Sequence, residues 1–289
     1  MITQKNKPDN EIYILGSEVQ KKKDKMTAKS KWIAFFICFV IIIFAVGFVV
    51  FFSKEQTPEY YFEPEETLQQ SISITTENNE NSNQKGHIEV QEAMINDVPL
   101  LIYIPHNATM SLLLGMPDKS DSTIIFTAMA ADIRKDNKKI VGYFVLSGKQ
   151  LSIGVAKKGF CAVIDKTVSI GMGENTPLLQ QAIENNGYFF RQYALVHNGE
   201  LIENKPKNKS IRRALAVRNE QAIMVESKTA ESFHDFSQAL IDIGVSDAIY
   251  LVGGDAFGWY YNNERVRQEF GKEKPDFPEN TSFIVWQIK

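Results

Sequence analysis

The side chains of this sequence best suited to chemistry gather late in the chain: His197 and Asn198, then Arg212 and Arg213, then Asp255. Imidazole and carboxylate groups serve acid–base chemistry, and guanidinium groups bind oxyanions in paired hydrogen bonds. Asp255 closes the run Ile249-Tyr250-Leu251-Val252-Gly253-Gly254-Asp255, a short apolar segment that ends in two glycines and a carboxylate. Such a segment brings a turn and a polar group to the rim of a sheet, where sites form. A tight turn that needs positive φ accounts for the same residues. Nothing matches a serine hydrolase elbow, a phosphate-binding glycine loop or a metalloprotease helix. The 4 histidines are scattered and no Cys/His cluster has zinc spacing, so neither a metal nor a cofactor is expected.

Short β-branched and aromatic runs bounded by turn residues predict the strands that would position these groups. They are 99–104, 122–126, 140–146, 151–153, 159–164, 193–196, 213–217, 222–225 and 282–288. Ser147-Gly148 and Asn198-Gly199 read as hairpin turns. Thr176-Pro177 opens a helix over 176–183, with threonine as N-cap and proline at the first helical position. A second helix, capped by Thr229, shows Phe233, Phe236, Leu240 and Ile243 on one face and stops at Gly244. Strands outnumber helices and the two do not alternate, so the expected class is α+β with a mixed sheet and few helices.

The chain has 289 residues and a net charge of -3, which gives no reason to expect a nucleic-acid partner. Trp32–Phe52 holds 21 residues without a charge. As a helix it spans roughly 30 Å, the thickness of a bilayer's hydrocarbon core. Lysines crowd its N-terminal side and glutamates its C-terminal side. The expectation is a single-pass membrane protein with a cytoplasmic tail (1–31), a transmembrane helix (32–52), a flexible polar stalk (53–85) and one extracytoplasmic domain (86–289). The lone external thiol, Cys161, sits in an apolar run and reads as a buried small hydrophobe. With the simple anchor, it suggests a periplasmic domain on a bacterial inner membrane.

Three segments in order carry a family resemblance: Ala194-Leu195-Val196-His197-Asn198-Gly199, Arg212-Arg213-Ala214-Leu215-Ala216-Val217 and Ala248-Ile249-Tyr250-Leu251-Val252-Gly253-Gly254. Their order and spacing resemble the phosphodiester glycosidase family, the N-acetylglucosamine-1-phosphodiester alpha-N-acetylglucosaminidase-like domains. The resemblance implies hydrolysis of sugar–phosphate diesters, with a phosphorylated glycan as partner. It implies that Arg212 binds phosphate, a solvated charge at the strand start being the other reading, and that Gly253 and Gly254 let a ligand approach the backbone; His197 and Asn198, in a matching segment, are candidate substrate-binding residues. Trp259, in the aromatic cluster after the glycine turn, could stack on a sugar ring at the mouth of the site; core or rim packing is the commoner role of such a cluster. The family pattern has aspartate where this chain has Val252, and an early asparagine where it has Met129-Ala130-Ala131-Asp132. Asp255 or Asp132 is then the candidate acid/base. A non-catalytic relative that binds an anionic glycan or an envelope partner is the alternative.

Overall fold

A computed structural model describes residues 71–75 and 86–288. The expected cytoplasmic tail, the apolar run 32–52 and most of the expected stalk lie outside the described residues. Among the described residues no helix is long and apolar enough to cross a membrane. Within the segment read as a stalk, Ser71–Thr75 forms a strand.

The described strands, numbered along the chain, form three sheets. One contains β1 (Ser71–Thr75), β6 (Phe144–Leu146), β7 (Lys149–Ser152), β8 (Gly159–Ile164), β9 (Thr167–Met172) and β10 (Tyr188–Gln192), in the order β1-β9-β8-β10-β6-β7. The widest contains β2 (His87–Ile95), β3 (Val98–His106), β11 (Ala194–His197), β12 (Glu200–Leu201), β13 (Arg213–Arg218), β14 (Gln221–Ser227) and β15 (Val245–Leu251). Its order is β12-β11-β15-β13-β14-β3-β2. The third holds β4 (Ala108–Leu114), β5 (Ile124–Met129), β16 (Gly258–Tyr261), β17 (Arg267–Phe270) and β18 (Ser282–Ile288), ordered β17-β16-β5-β18-β4.

The α+β class with few helices holds, but the expected mixed sheet does not. Every strand pair described is antiparallel. The turns supply the reason. Asn96-Asp97, Ser147-Gly148, Asp165-Lys166, Asn198-Gly199 and Asn219-Glu220 each place two successive residues at positive φ. Two-residue turns of that kind match the twist of a hairpin and join antiparallel neighbours. Parallel pairing would need long crossovers, usually helical, and only two helices are described, α1 (Pro177–Glu184) and α2 (Phe233–Asp242). Thr176 caps α1 as expected. The cap of α2 is Ser232, not Thr229: the Ser232 hydroxyl accepts from the Asp235 N–H at 3.0 Å. Gly244, at φ +86, follows the helix end.

The inner faces of the three sheets share one core, in which Tyr103, Leu215 and Ile249 meet Phe126 and Trp286 and also Phe144, Cys161 and Phe190. The outer face of the widest sheet is covered by α2 through Phe233, Phe236 and Leu240. That of the first is covered by α1 through Ala182. Cys161 is buried and free, as its run suggested, and burial pushes its thiol up.

One charged pair lies in this interior. Arg213 projects from β13 toward the shared core and its Nε donates to Glu226 on the neighbouring β14. Its guanidinium also donates to the carbonyls of Ala256 (2.8 Å) and Val252 (3.3 Å) and lies 4.7 Å from the Phe270 ring. Burial, with the Glu226 carboxylate close by, pushes the nearby Tyr103 phenol up. Because both charges are desolvated, removing one leaves the other without compensation. Arg213→Ala should therefore lower unfolding free energy by about 3–5 kcal/mol in denaturant titration. Arg213→Met combined with Glu226→Met should recover most of that loss, because it restores volume without a buried charge.

Candidate functional site

Residues alternate faces along a strand, so Arg212 points away from Arg213, toward α2. Its guanidinium lies 4.1 Å from the Phe233 ring and 5.9 Å from that of Tyr250. Nε donates to the Glu231 carbonyl at 2.9 Å and Nη2 to the Asn208 carbonyl. These bonds hold the charge at the N-terminal end of β13, beside the C-terminal end of its antiparallel neighbour β15.

Three strand ends converge there. The Tyr250 N–H donates to the Tyr193 carbonyl at 2.8 Å, and the Val252 N–H donates to the Met129 carbonyl at 3.2 Å. The widest sheet is thereby tied to the end of β10 and the end of β5. Asp132 follows β5 directly. Its carboxylate accepts from the ammonium of Lys157, which precedes β8. The Lys157 side chain is only 7 % exposed, whereas that of Asp132 is 34 % exposed. A second Lys157 bond goes to Gln192 Oε1 at 2.7 Å, and the ammonium lies 4.4 Å from the Tyr193 ring centre. Gln192 is fixed in turn, since its Oε1 also accepts from the Tyr193 N–H at 3.1 Å. Arg191, wholly buried, donates to the carbonyls of Lys157, Lys158, Gly173 and Glu174 and so anchors the loop that carries the lysine.

The electrostatics follow from this burial. Desolvation pushes the Lys157 ammonium below its ordinary range, and Asp132 acts against that shift. Burial raises the Tyr250 phenol; Arg212 and the Gly253 N–H oppose it, and Asp132 adds to it. Burial also raises Tyr193, with Asp132 and Tyr250 contributing. Both phenols therefore stay protonated at neutral pH and can donate hydrogen bonds. The result is one partly exposed carboxylate among two phenols, an ammonium and a guanidinium. The carboxylate suits proton transfer, and the two buried cations, Lys157 and Arg212, favour negative charge near it.

Of the residues expected from sequence, Asp132 and Arg212 both act on the Tyr250 phenol, with opposite signs, and Gly253 bonds its hydroxyl; the others lie elsewhere. Asp255 points out to solvent and pairs with Lys272 at 3.0 Å. Trp259 is fully buried in the outer core of the third sheet with Phe257 and Phe283, so it cannot stack on a ligand. His197 pairs with buried Asp247 at 2.8 Å. Asp247 lies toward the start of β15 and Tyr250 at its end, roughly 10 Å apart along a strand. Asn198 occupies the positive-φ hairpin turn beside His197. The glycine pair is required by packing. A Cβ on Gly253 would collide with the Ile211 carbonyl oxygen, and Gly254 adopts φ +59 while its N–H donates to that same carbonyl at 2.8 Å. The Gly253 N–H donates to Tyr250 Oη at 3.0 Å, which fixes the phenol.

Lys157, Gln192, Tyr193 and Tyr250 escaped the sequence reading. Tyr193 adjoins one motif segment and Tyr250 lies within another, but tyrosine in a strand signals core packing as readily as a site. Lys157 stands in a polar loop, where lysine is ordinarily solvated. A cavity of about 420 Å³ lies elsewhere, lined by Asn96, Asp97, Lys209, Glu231, His234 and Asp235 among others. Its carboxylates disfavour an anionic ligand. Among the described residues no group of three or more His, Cys, Asp or Glu could hold a metal ion.

No protein-family profile and no curated protein matches this sequence. Solved structures do share its fold. The catalytic domain of zebrafish N-acetylglucosamine-1-phosphodiester alpha-N-acetylglucosaminidase, auto-inhibited by its pro-peptide, superposes with a TM-score of 0.54 at 13% identity, over 77% of this chain and 89% of that one. A hypothetical protein from Synechocystis gives 0.50 at 12% identity, over 71% of this chain and 62% of that one. At such identities the likeness shows a distant structural relationship and a common fold.

Lys157→Met tests the buried ammonium. It removes a group whose burial disfavours the charged form, while Gln192 keeps its Tyr193 bond and water can reach Asp132. The variant should fold and match or exceed the parent in thermal midpoint at neutral pH. The cost of the parent's lysine is fully present below its depressed folded pKa and fades as pH rises toward the ordinary 10.5. Any advantage of the variant should therefore shrink in alkaline melts. Gly253→Ala should lower the midpoint and release the Tyr250 hydroxyl, visible as a shift in its phenol titration.

Proposed function

We propose that this domain hydrolyses sugar–phosphate diesters, with Asp132 as the group that activates water or attacks the sugar. The observation that carries the reading is the partly exposed Asp132 carboxylate, held by Lys157 at the meeting of three strand ends, with the Tyr193 and Tyr250 phenols in its field and Arg212 behind Tyr250. The shared fold with a phosphodiester glycosidase catalytic domain supports it.

Most glycosidases flank the scissile bond with two carboxylates, one of which protonates the leaving oxygen. This site offers one. A sugar 1-phosphodiester relaxes the requirement, because its leaving group is a phosphate monoester, stable as an anion without a proton. In the proposed step water forms a bond to the sugar's anomeric carbon as the bond from that carbon to the phosphate oxygen breaks. Asp132 takes the proton from water, and the phosphate monoester departs with the bonding pair. The two phenols, with the buried Arg212 charge behind Tyr250, stabilise the charge that develops on the phosphate oxygens. Lys157 is a positioning residue that aims the carboxylate.

A second reading has one specific observation in its favour. Val252 stands where the resembled pattern has a carboxylate, and Asp255 does not replace it because it lies in solvent with Lys272. A protein that only binds a phosphorylated glycan needs no second carboxylate. Hydrolysis of a panel of sugar 1-phosphodiesters by the purified protein separates the two. Under the enzyme reading, Asp132→Asn should lower kcat by at least about 10²-fold and change KM far less. A folded parent protein that binds the panel but turns none of it over would leave only the binding reading.

A further inference from the structure

Two stretches run outward from the site, one from Asp132 and one from Lys157. From Asp132 the chain passes through Arg134, Lys135, Asp136, Asn137, Lys138 and Lys139, all exposed, before Ile140 turns inward. Upstream of Lys157 lie Leu151, Ile153 and Val155, which are 37, 72 and 41 % exposed. They occupy alternate positions on β7 and the chain just after it. The two stretches touch: the Ser152 hydroxyl donates to the Ile140 carbonyl at 3.0 Å, and the Tyr143 N–H donates to the Gly154 carbonyl at 2.8 Å. Lys149, also exposed, stands two residues before Leu151. An outward aliphatic row is thus bordered by lysines, with Asp136 the one carboxylate in the basic stretch.

We propose that this rim docks on an anionic lipid bilayer. Aliphatic side chains lose unfavourable contact with water when they enter the headgroup–acyl boundary, and lysines around them meet the negative surface potential. The charge pattern argues against a strand-pairing partner. Edge strand β7 is four residues long and carries Lys149, features that discourage edge pairing. Ile153 and Val155 also continue the row beyond the strand, flanking Gly154, whose carbonyl is already bonded inward. The uncharged run Trp32–Phe52 in the same chain, read as an anchor, would keep a bilayer within reach of the domain. Docking would turn the mouth of the Asp132–Lys157 site toward the headgroups. The proposal concerns the rim and holds whether the site is catalytic or only binds.

The test uses the full-length protein in nanodiscs of phosphatidylcholine, with or without phosphatidylglycerol, and follows hydrogen exchange at amides 149–156. Protection of that segment in anionic discs, and much less in neutral ones, is the expected result. Ile153→Asp with Val155→Asp should abolish it. Lys135→Glu with Lys139→Glu should weaken binding about 25-fold or more, since each lysine near an anionic surface is worth about fivefold. Equal exchange in both discs overturns the proposal. So does protection in detergent that grows with protein concentration, which would mean a second copy, or protection by soluble polyphosphate alone, which would mean an anionic-chain subsite. If the parent hydrolyses a water-soluble sugar phosphodiester, the Ile153/Val155 variant should retain that activity. Its loss would assign the row to the site and overturn docking.

Discussion

The buried ion pair of Arg213 and Glu226 is the constraint on which the site's geometry depends. It lies in the core shared by the three sheets, where an unpaired charge would be strongly unfavourable. The guanidinium reaches beyond Glu226 to the carbonyls of Val252 and Ala256. Those residues flank the glycine turn that carries the chain from β15 in the widest sheet to β16 in the third. The pair thereby fixes that turn from behind. Gly253, pressed against the Ile211 carbonyl, in turn directs its N–H to the Tyr250 hydroxyl. A structural arginine thus sets the position of a phenol on the opposite face of the sheet.

Its neighbour Arg212 shows what period-two alternation does with adjacent like charges. One guanidinium is consumed by the core, and the other is carried to the α2 face and stacked on Phe233. At the same strand ends the chain assembles polar groups from distant segments, some held by a second bond. Gln192 is bonded to both Lys157 and the Tyr193 N–H, and Arg191 holds the carbonyls of the Lys157 loop. Such support keeps a charged side chain in place at a site where desolvation works against its charge.

The chemistry proposed follows from scarcity as well as from what is present. One carboxylate with phenols and cations is a poor set for expelling an alkoxide, which needs a proton donor at the leaving oxygen. It is adequate for expelling a phosphate monoester, whose charge the cations and phenols can stabilise. The same set is adequate for holding such a ligand without reaction. Fold likeness alone does not separate those outcomes, because a scaffold is retained more readily than the groups mounted on it.

Local structure was largely legible in the sequence. The Asn-Gly and Ser-Gly turns, the Thr176-Pro177 helix start, the stop at Gly244 and the burial of Cys161 are short-range effects of φ preference, capping and hydrophobicity, and the residues concerned carry them on their own. The cap of α2 was misplaced by a few residues because Thr229 and Ser232 offer the same hydroxyl. Only the fold could decide which side chains meet. Asp255 and Trp259 follow the glycine turn, a place that suggests chemistry, yet the turn sends one to solvent and strand alternation sends the other into the core. Asp132, Lys157, Gln192, Tyr193 and Tyr250 are spread over more than a hundred residues of sequence. No local preference links them. They meet because the ends of β5, β10 and β15 belong to three sheets that pack on one core.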